Sequence, residues 1–295
     1  MESFFTRRLS QIITLIKGFA YKYKIDLIGL PQLKPLPKTT DKEELIVSLT
    51  TFGRRVNNVV YYTLIYLLQQ TKQPNRIILW IDEENWNIYN IPTTLKSLKE
   101  YGVEIRFCKD IRSYTKLVPT LINFPKSIII TVDDDIIYRK NMISDLYEEH
   151  KKFPTDIICN MARFPQFNDT NQIEPYETWF SENHKSKYIM PIGVSGVLYP
   201  PNSLYKDVVR CDLFQRLAPL ADDLWFWVMG VLNGTKYHVI NQDKMPGCNF
   251  DGLYQYLHRD ASLTHQNREE KKNDQQIKAI IDYYNLDFSN SSTPQ

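Results

Sequence analysis

The 295 residues allow one large α/β domain or two small ones, and a domain of about 250 residues buries roughly three quarters of its unfolded surface without needing staples. A formal net charge of +2 is too small to argue for nucleic acid as a partner. The four cysteines, Cys108, Cys159, Cys211 and Cys248, are scattered without CxxC spacing, which speaks against a zinc site or a disulfide framework and for a reducing, cytoplasmic setting.

Taken from the N-terminus, residues 1–30 hold a basic amphipathic helix. Phe5, Leu9, Ile12, Ile16 and Phe19 recur at helical spacing, with Ile13 beside them. Arg7, Arg8, Lys17, Lys22 and Lys24 against Glu2 make this segment strongly basic. Such a terminus suits the surface of an anionic membrane, as a peripheral contact on the inner face of the cell membrane, or packs on its own domain. No run of eighteen apolar residues suggests a membrane-spanning helix, and Arg7, Arg8 and Lys17 interrupt the stretch that a secretory signal would need. Residues 31–40, with Pro31, Pro35 and Pro37, read as a linker. A domain over 41–288 and a frayed tail over 289–295 follow.

Within that domain strands and helices alternate. Strands are expected over 44–50, 76–81, 103–108 and 127–132. Helices are expected over 57–70, 93–101 with Gly102 as its C-cap, and 114–123, broken at Pro119. This order predicts a mainly parallel sheet with helices on both faces. Later, 156–160 and 236–240 read as strands and 163–188 as a long loop of the kind that carries function. Residues 192–199 read as a strand interrupted by Gly193 and Gly196, glycines that mark close approach of a ligand or another backbone. Helices over 221–232 and 274–284 complete the pattern.

The chemistry concentrates in Asp133-Asp134-Asp135, which ends the continuously apolar 127–132 run. A run of that kind is buried on both faces, and ligands of open α/β sheets bind at the carboxyl ends of the strands. Three adjacent acids repel one another unless solvent or a cation neutralises them. In an extended segment Asp133 and Asp135 would share one side and could hold a hard divalent cation, with Asp134 opposite. A plain acidic turn is the alternative.

Four stretches together resemble the GT-A glycosyltransferases, with a Rossmann-like sheet, and within them bacterial family-2-like enzymes of surface-polysaccharide assembly. These are Val47-Ser48-Leu49-Thr50-Thr51-Phe52, Ile81-Asp82, Thr131-Val132-Asp133-Asp134-Asp135-Ile136 and Ala221-Asp222-Asp223-Leu224-Trp225. The resemblance implies transfer of a sugar from a nucleotide diphosphate donor, UDP-linked by preference, to a hydroxyl of a glycan or lipid-linked acceptor, with Mn²⁺ or Mg²⁺. Under it, Thr50, Thr51, Phe52, Arg54 and Arg55 meet the nucleotide and Asp82 contacts the base. Asp133, Asp134 and Asp135 form the donor and metal side, with Asp133 and Asp135 as metal ligands and His265 as a third. Lys116 would add a second positive contact to the donor unless it is a solvated helix lysine. Asp223 would deprotonate the acceptor hydroxyl, with Asp222 as its neighbour; helix capping is the other use for that pair. Of the aromatics Tyr176, Trp179, Trp225 and Trp227, a sugar-stacking role is assigned to Trp179 or Trp225. Two other functions compete: a non-catalytic nucleotide-sugar or glycan binder, and a Mg²⁺-dependent phosphatase or phosphotransferase of the haloacid dehalogenase type. In the latter's motif a Thr would stand where Ile137 does.

Overall fold

The computed structural model describes residues 16, 18, 20–27, 32–37, 43–179, 188–240, 247–249 and 271–288. Three apolar runs become the strands β1 (Leu45–Thr51), β2 (Arg76–Asp82) and β4 (Ile128–Thr131), and the alternating Val103–Cys108 becomes β3. After a short β5 (Ile136–Tyr138) come β6 (Ile157–Cys159), β7 (Ala162–Arg163), β8 (Met190–Pro191), β9 (Val197–Tyr199), β10 (Tyr237–Val239) and β11 (Gly247–Asn249). Seven of them form one sheet in the order β10-β6-β9-β4-β1-β2-β3. β3, β2, β1 and β4 run parallel, as do β6 and β10, while β9 is antiparallel to both its neighbours. The mainly parallel α/β architecture expected from the alternating pattern is therefore present, with one reversed strand at its middle.

Burial accounts for the runs. Every residue of β4 is buried, and so is all of β1 except Thr50. Leu45, Val47 and Leu49 join the core beneath the Val60–Leu67 helix, while Ile46 packs on the other face with Ile78 and Trp80. A strand covered on both sides has no polar face to alternate with. The second large core forms around the Asp222–Leu232 helix, where Trp225, Phe226 and Trp227 meet Phe214, Tyr237 and Ile280.

Local differences from expectation have plain causes. The 57–70 helix divides at Val59, whose φ of −129° is not helical, into Arg55–Asn58 and Val60–Leu67. Pro119 does not break a helix; it starts one, Val118–Asn123, after a separate 3-10 turn over Arg112–Lys116. A proline in the first turn gives up an N–H that has no partner there in any case. The 93–101 segment is an α turn followed by a 3-10 turn, closed by Gly102 at φ 96° as expected. Of the interrupted 192–199 strand only Val197–Tyr199 is strand, as β9; Gly193–Ser195 is a 3-10 turn, and β8 lies just ahead of the segment. Leu36, read as part of a linker, donates its N–H to the Tyr101 carbonyl at 3.0 Å and packs with Leu33 on the core, so residues 32–37 lie against the domain.

Candidate active site at the carboxyl ends of β1 and β4

β1 and β4 are in register with Ser48 beside Thr131, so β1 runs three residues past the end of β4. That overhang puts Thr51 above the chain leaving β4. Thr51 donates its hydroxyl to Asp134 Oδ2 at 2.6 Å. Arg55, opening the next helix, donates Nη1–H to Asp134 Oδ1 at 2.7 Å and places Nη2 3.1 Å from Asp135 Oδ2. Thr63 donates to the Asp134 carbonyl at 2.8 Å. Burial pushes the Asp134 carboxyl up, and Arg55 and the Thr51 hydroxyl oppose that rise.

These contacts change the geometry expected of the triplet. Residues 134 and 135 form a turn, so side chains do not alternate. Asp134 and Asp135 share Arg55, and Asp133 goes the other way. Asp134 is 3% exposed and both its oxygens accept from protein, so it anchors the turn; the donor-contact role drawn from the resemblance does not suit it. Thr51 is buried on the same duty. The Asp133 N–H donates to the Tyr138 hydroxyl at 2.8 Å, and that hydroxyl donates to the Val194 carbonyl at 3.0 Å. One phenol thus ties the acidic turn to the Gly193–Ser195 turn.

Asp133 meets a second group of acids through Lys116. The lysine is buried, contrary to the solvated alternative, with its ammonium 3.2 Å from Asp133 Oδ1, 3.0 Å from Asp222 Oδ2 and 4.0 Å from Asp223 Oδ1. Burial alone would lower its pKa, but Asp133, Asp222 and Asp223 outweigh burial and hold it well above the usual lysine value. Its placement follows from its flanks. Tyr114 donates its hydroxyl to the Ala218 carbonyl, just ahead of the Asp222–Leu232 helix. On the other side, Thr120 joins Ser48 of β1 at 2.7 Å and Trp80 of β2 at 2.8 Å.

Asp222 and Asp223 occupy the first turn of their helix, but the cap is Ala221 and makes no side-chain capping bond. Both acids nonetheless stand in the first turn, where the helix dipole favours negative charge. Asp222 is buried; Asp223 leaves about a third of its side chain in solvent (32%) and accepts the Gly193 N–H at 3.1 Å through Oδ2. Burial, then the neighbouring Asp222 carboxylate, raise Asp223 to about 7 against the pull of Lys116 and the Gly193 N–H. Gly193 is required by space. A Cβ there would lie 2.7 Å from Asp223 Oδ1 and 2.8 Å from Lys116 Nζ.

Around this cluster, Phe52 is 58% exposed at the end of β1 with the Arg55 guanidinium 5.5 Å from its ring centre, and Arg54 is half-buried beside it. Thr50 donates its hydroxyl to the Trp80 carbonyl at 3.1 Å. Asp82 ends β2 but is buried, and its Oδ1 accepts both the backbone and side-chain N–H of Asn85. Trp179 and Trp225, assigned to sugar stacking, are core residues: Trp179 is 2% exposed and Trp225 is fully buried, each with its indole N–H on a backbone carbonyl. Trp227 is core too, whereas Tyr176 is half-buried under the Arg163 guanidinium. His265 lies outside the described residues. Among the described residues no three His, Cys, Asp or Glu side chains converge as a metal cluster. Tyr138, Thr63 and Gly193 were missed as site residues. Only Gly193 left a trace in the sequence, as a glycine read to mark close approach; what approaches is Asp223 and Lys116.

No protein-family model matches the chain. No curated protein matches it either. Among solved structures, similarity is found to CMP:2-keto-3-deoxy-manno-octonic acid synthetase complexed with CTP, at 11% identity and a TM-score of 0.44, covering 73% of this chain and 97% of that one. It is also found to 4-diphosphocytidyl-2C-methyl-D-erythritol synthase, at 10% identity and a TM-score of 0.42, covering 68% and 90%.

Proposed function

We propose that this chain is a glycosyltransferase that moves a sugar from a nucleotide diphosphate sugar, UDP-linked by preference, to a hydroxyl of a glycan or lipid-linked acceptor. One observation carries the reading. Lys116 gathers the acid that follows β4 and the acid pair of the Asp222–Leu232 helix into one cluster at the carboxyl edge of the sheet, and the partly exposed Asp223 sits near pKa 7. A general base works best with a pKa close to the operating pH. Asp223, fixed by the Gly193 N–H, takes the acceptor proton; Phe52, Arg54 and Thr50 line the donor side at the end of β1, with Asp82 closing β2 next to them.

The carboxylate oxygens of Asp133 and Asp135 are of the type that suits Mn²⁺ or Mg²⁺, but Lys116 stands against one and Arg55 against the other, so the turn at residues 134 and 135 does not give the pair the shared face expected of two metal ligands. Lys116 pairs with both Asp133 and Asp222, and Arg55 fixes the turn that follows Asp133.

The test is nucleotide release from a panel of nucleotide sugars, with either metal and with hydroxyl acceptors. Asp223→Asn is expected to lower kcat by about 10²–10⁴-fold while donor affinity stays near wild type. A wild-type chain that binds nucleotide sugars without releasing nucleotide under any of these conditions would be a binder, and the proposal would fall.

A further inference from the structure

The N-terminal helix carries two opposed faces, and among the described residues the domain contacts one of them. On the used face, Ile25 is buried in the core, and Tyr21 meets Tyr66 edge-on at 5.6 Å. Asp26 accepts the Tyr62 hydroxyl at 2.7 Å and pairs with Lys22 at 3.1 Å, while Lys22 lies over the Tyr62 ring. These contacts dock the helix on Val60–Leu67.

The opposite face is apolar and open. Ile16 is 63% exposed, Tyr23 66% and Leu27 63%, with Ala20 exposed between them. At 3.6 residues per turn these four positions fall within about 60° of one another, on the side away from Ile25. In the sequence, Phe5, Leu9 and Ile12 precede Ile16 at the same spacing. Lys24 is exposed beside the stripe. The only acid between residues 16 and 27 is Asp26, and it is engaged on the docked side.

We propose that this stripe lies in the interface of an anionic lipid bilayer and holds the domain to it in one orientation. Charge selects the occupant. A free apolar stripe would accept a protein groove equally well, but the N-terminal 24 residues carry five basic side chains against one acid. Apolar residues under a basic rim are what an interfacial helix needs, and tyrosine favours the boundary between headgroup and chain. Because the other face is docked through Ile25, Tyr21 and Asp26, the bound helix would not swing free as a tether. The inference does not depend on the reaction proposed above, and its test reads no activity.

The full chain is sedimented with vesicles of phosphatidylcholine, with and without phosphatidylglycerol. Wild type is expected to bind the mixed vesicles at least about tenfold more tightly than the neutral ones and to come off as salt rises. Tyr23→Glu/Leu27→Glu alters only exposed side chains. It is expected to keep the wild-type Tm and to lose about tenfold or more in binding. Lys24→Glu, which leaves the stripe intact, is expected to weaken binding to the anionic vesicles alone. Binding of the double variant equal to wild type would overturn the proposal, as would equal binding to neutral and anionic vesicles. Dimerisation of the wild type through the same two residues, without vesicle binding, would place a second copy on the stripe and also overturn it.

Discussion

Gly193 donates its N–H to Asp223 at 3.1 Å, and each of the two residues carries a separable prediction. Gly193→Ala forces a methyl group to within 2.7 Å of Asp223 Oδ1 and 2.8 Å of Lys116 Nζ, so both must move. Displacement of a reacting group by an ångström costs on the order of 10²-fold in rate. Gly193→Ala should therefore lower kcat by about that factor, read by steady-state kinetics beside a melting curve that shifts little. For Asp223 the sign of the pH effect is set by the raised pKa. An acid with a higher pKa folded than unfolded binds more protons in the folded state between the two values. Its contribution to stability is thus lost as pH rises from about 4, the ordinary aspartate range, through about 7. Activity that needs the ionised form should rise over the upper part of that range. Asp223→Asn should raise Tm relative to wild type at pH 8 and raise it less at pH 5, a comparison thermal melts at the two pH values can make.

At the scale of elements, the Asp222–Leu232 helix joins chemistry to core. Its first turn presents Asp222 and Asp223, and its body buries Trp225, Phe226 and Trp227. Trp225 donates its indole N–H to the Val208 carbonyl at 3.2 Å and packs edge-on to Phe214 with ring centres 6.1 Å apart. Trp225→Ala should cost about 3–5 kcal/mol, the range for removing a large buried aromatic, measured by urea denaturation. A sugar-stacking residue would behave otherwise, raising KM with stability unchanged. The short Arg55–Asn58 helix is anchored differently, through the ion pairs of Arg55 to Asp134 and Asp135.

Across the whole molecule, the N-terminal helix and residues 32–37 lie against the same core as β1 to β4. Removing residues 1–30 would uncover the surface beneath Ile25 and leave the Tyr62 hydroxyl without Asp26. Burying one such aliphatic side chain stabilises by about 1.5–3 kcal/mol. In a domain of this size each kcal/mol moves Tm by about 2–4 °C. The shortened chain should therefore melt several degrees lower, and a melt unchanged from wild type would show the docked face to be energetically idle.

The sequence by itself determined where the parallel strands run, because β1, β2 and β4 are buried on both faces and such burial writes a continuous apolar run. It also determined which residues carry charge to the sheet edge: the triplet after β4, the pair opening the Asp222–Leu232 helix, and Arg55. Only the tertiary structure decided how those charges divide. Alternation along an extended strand would have put Asp133 with Asp135; the turn at residues 134 and 135 instead gives Asp134 and Asp135 to Arg55 and Asp133 to Lys116. Pairing of Lys116 with Asp133, Asp222 and Asp223 joins distant parts of the chain, and local spacing holds no record of such contacts. The same limit hid the reversal of β9 between β4 and β6, since a three-residue apolar strand reads alike in either direction. It also hid the fate of Trp179 and Trp225, because an aromatic side chain serves equally well as a core residue or as a sugar platform until its neighbours close over it.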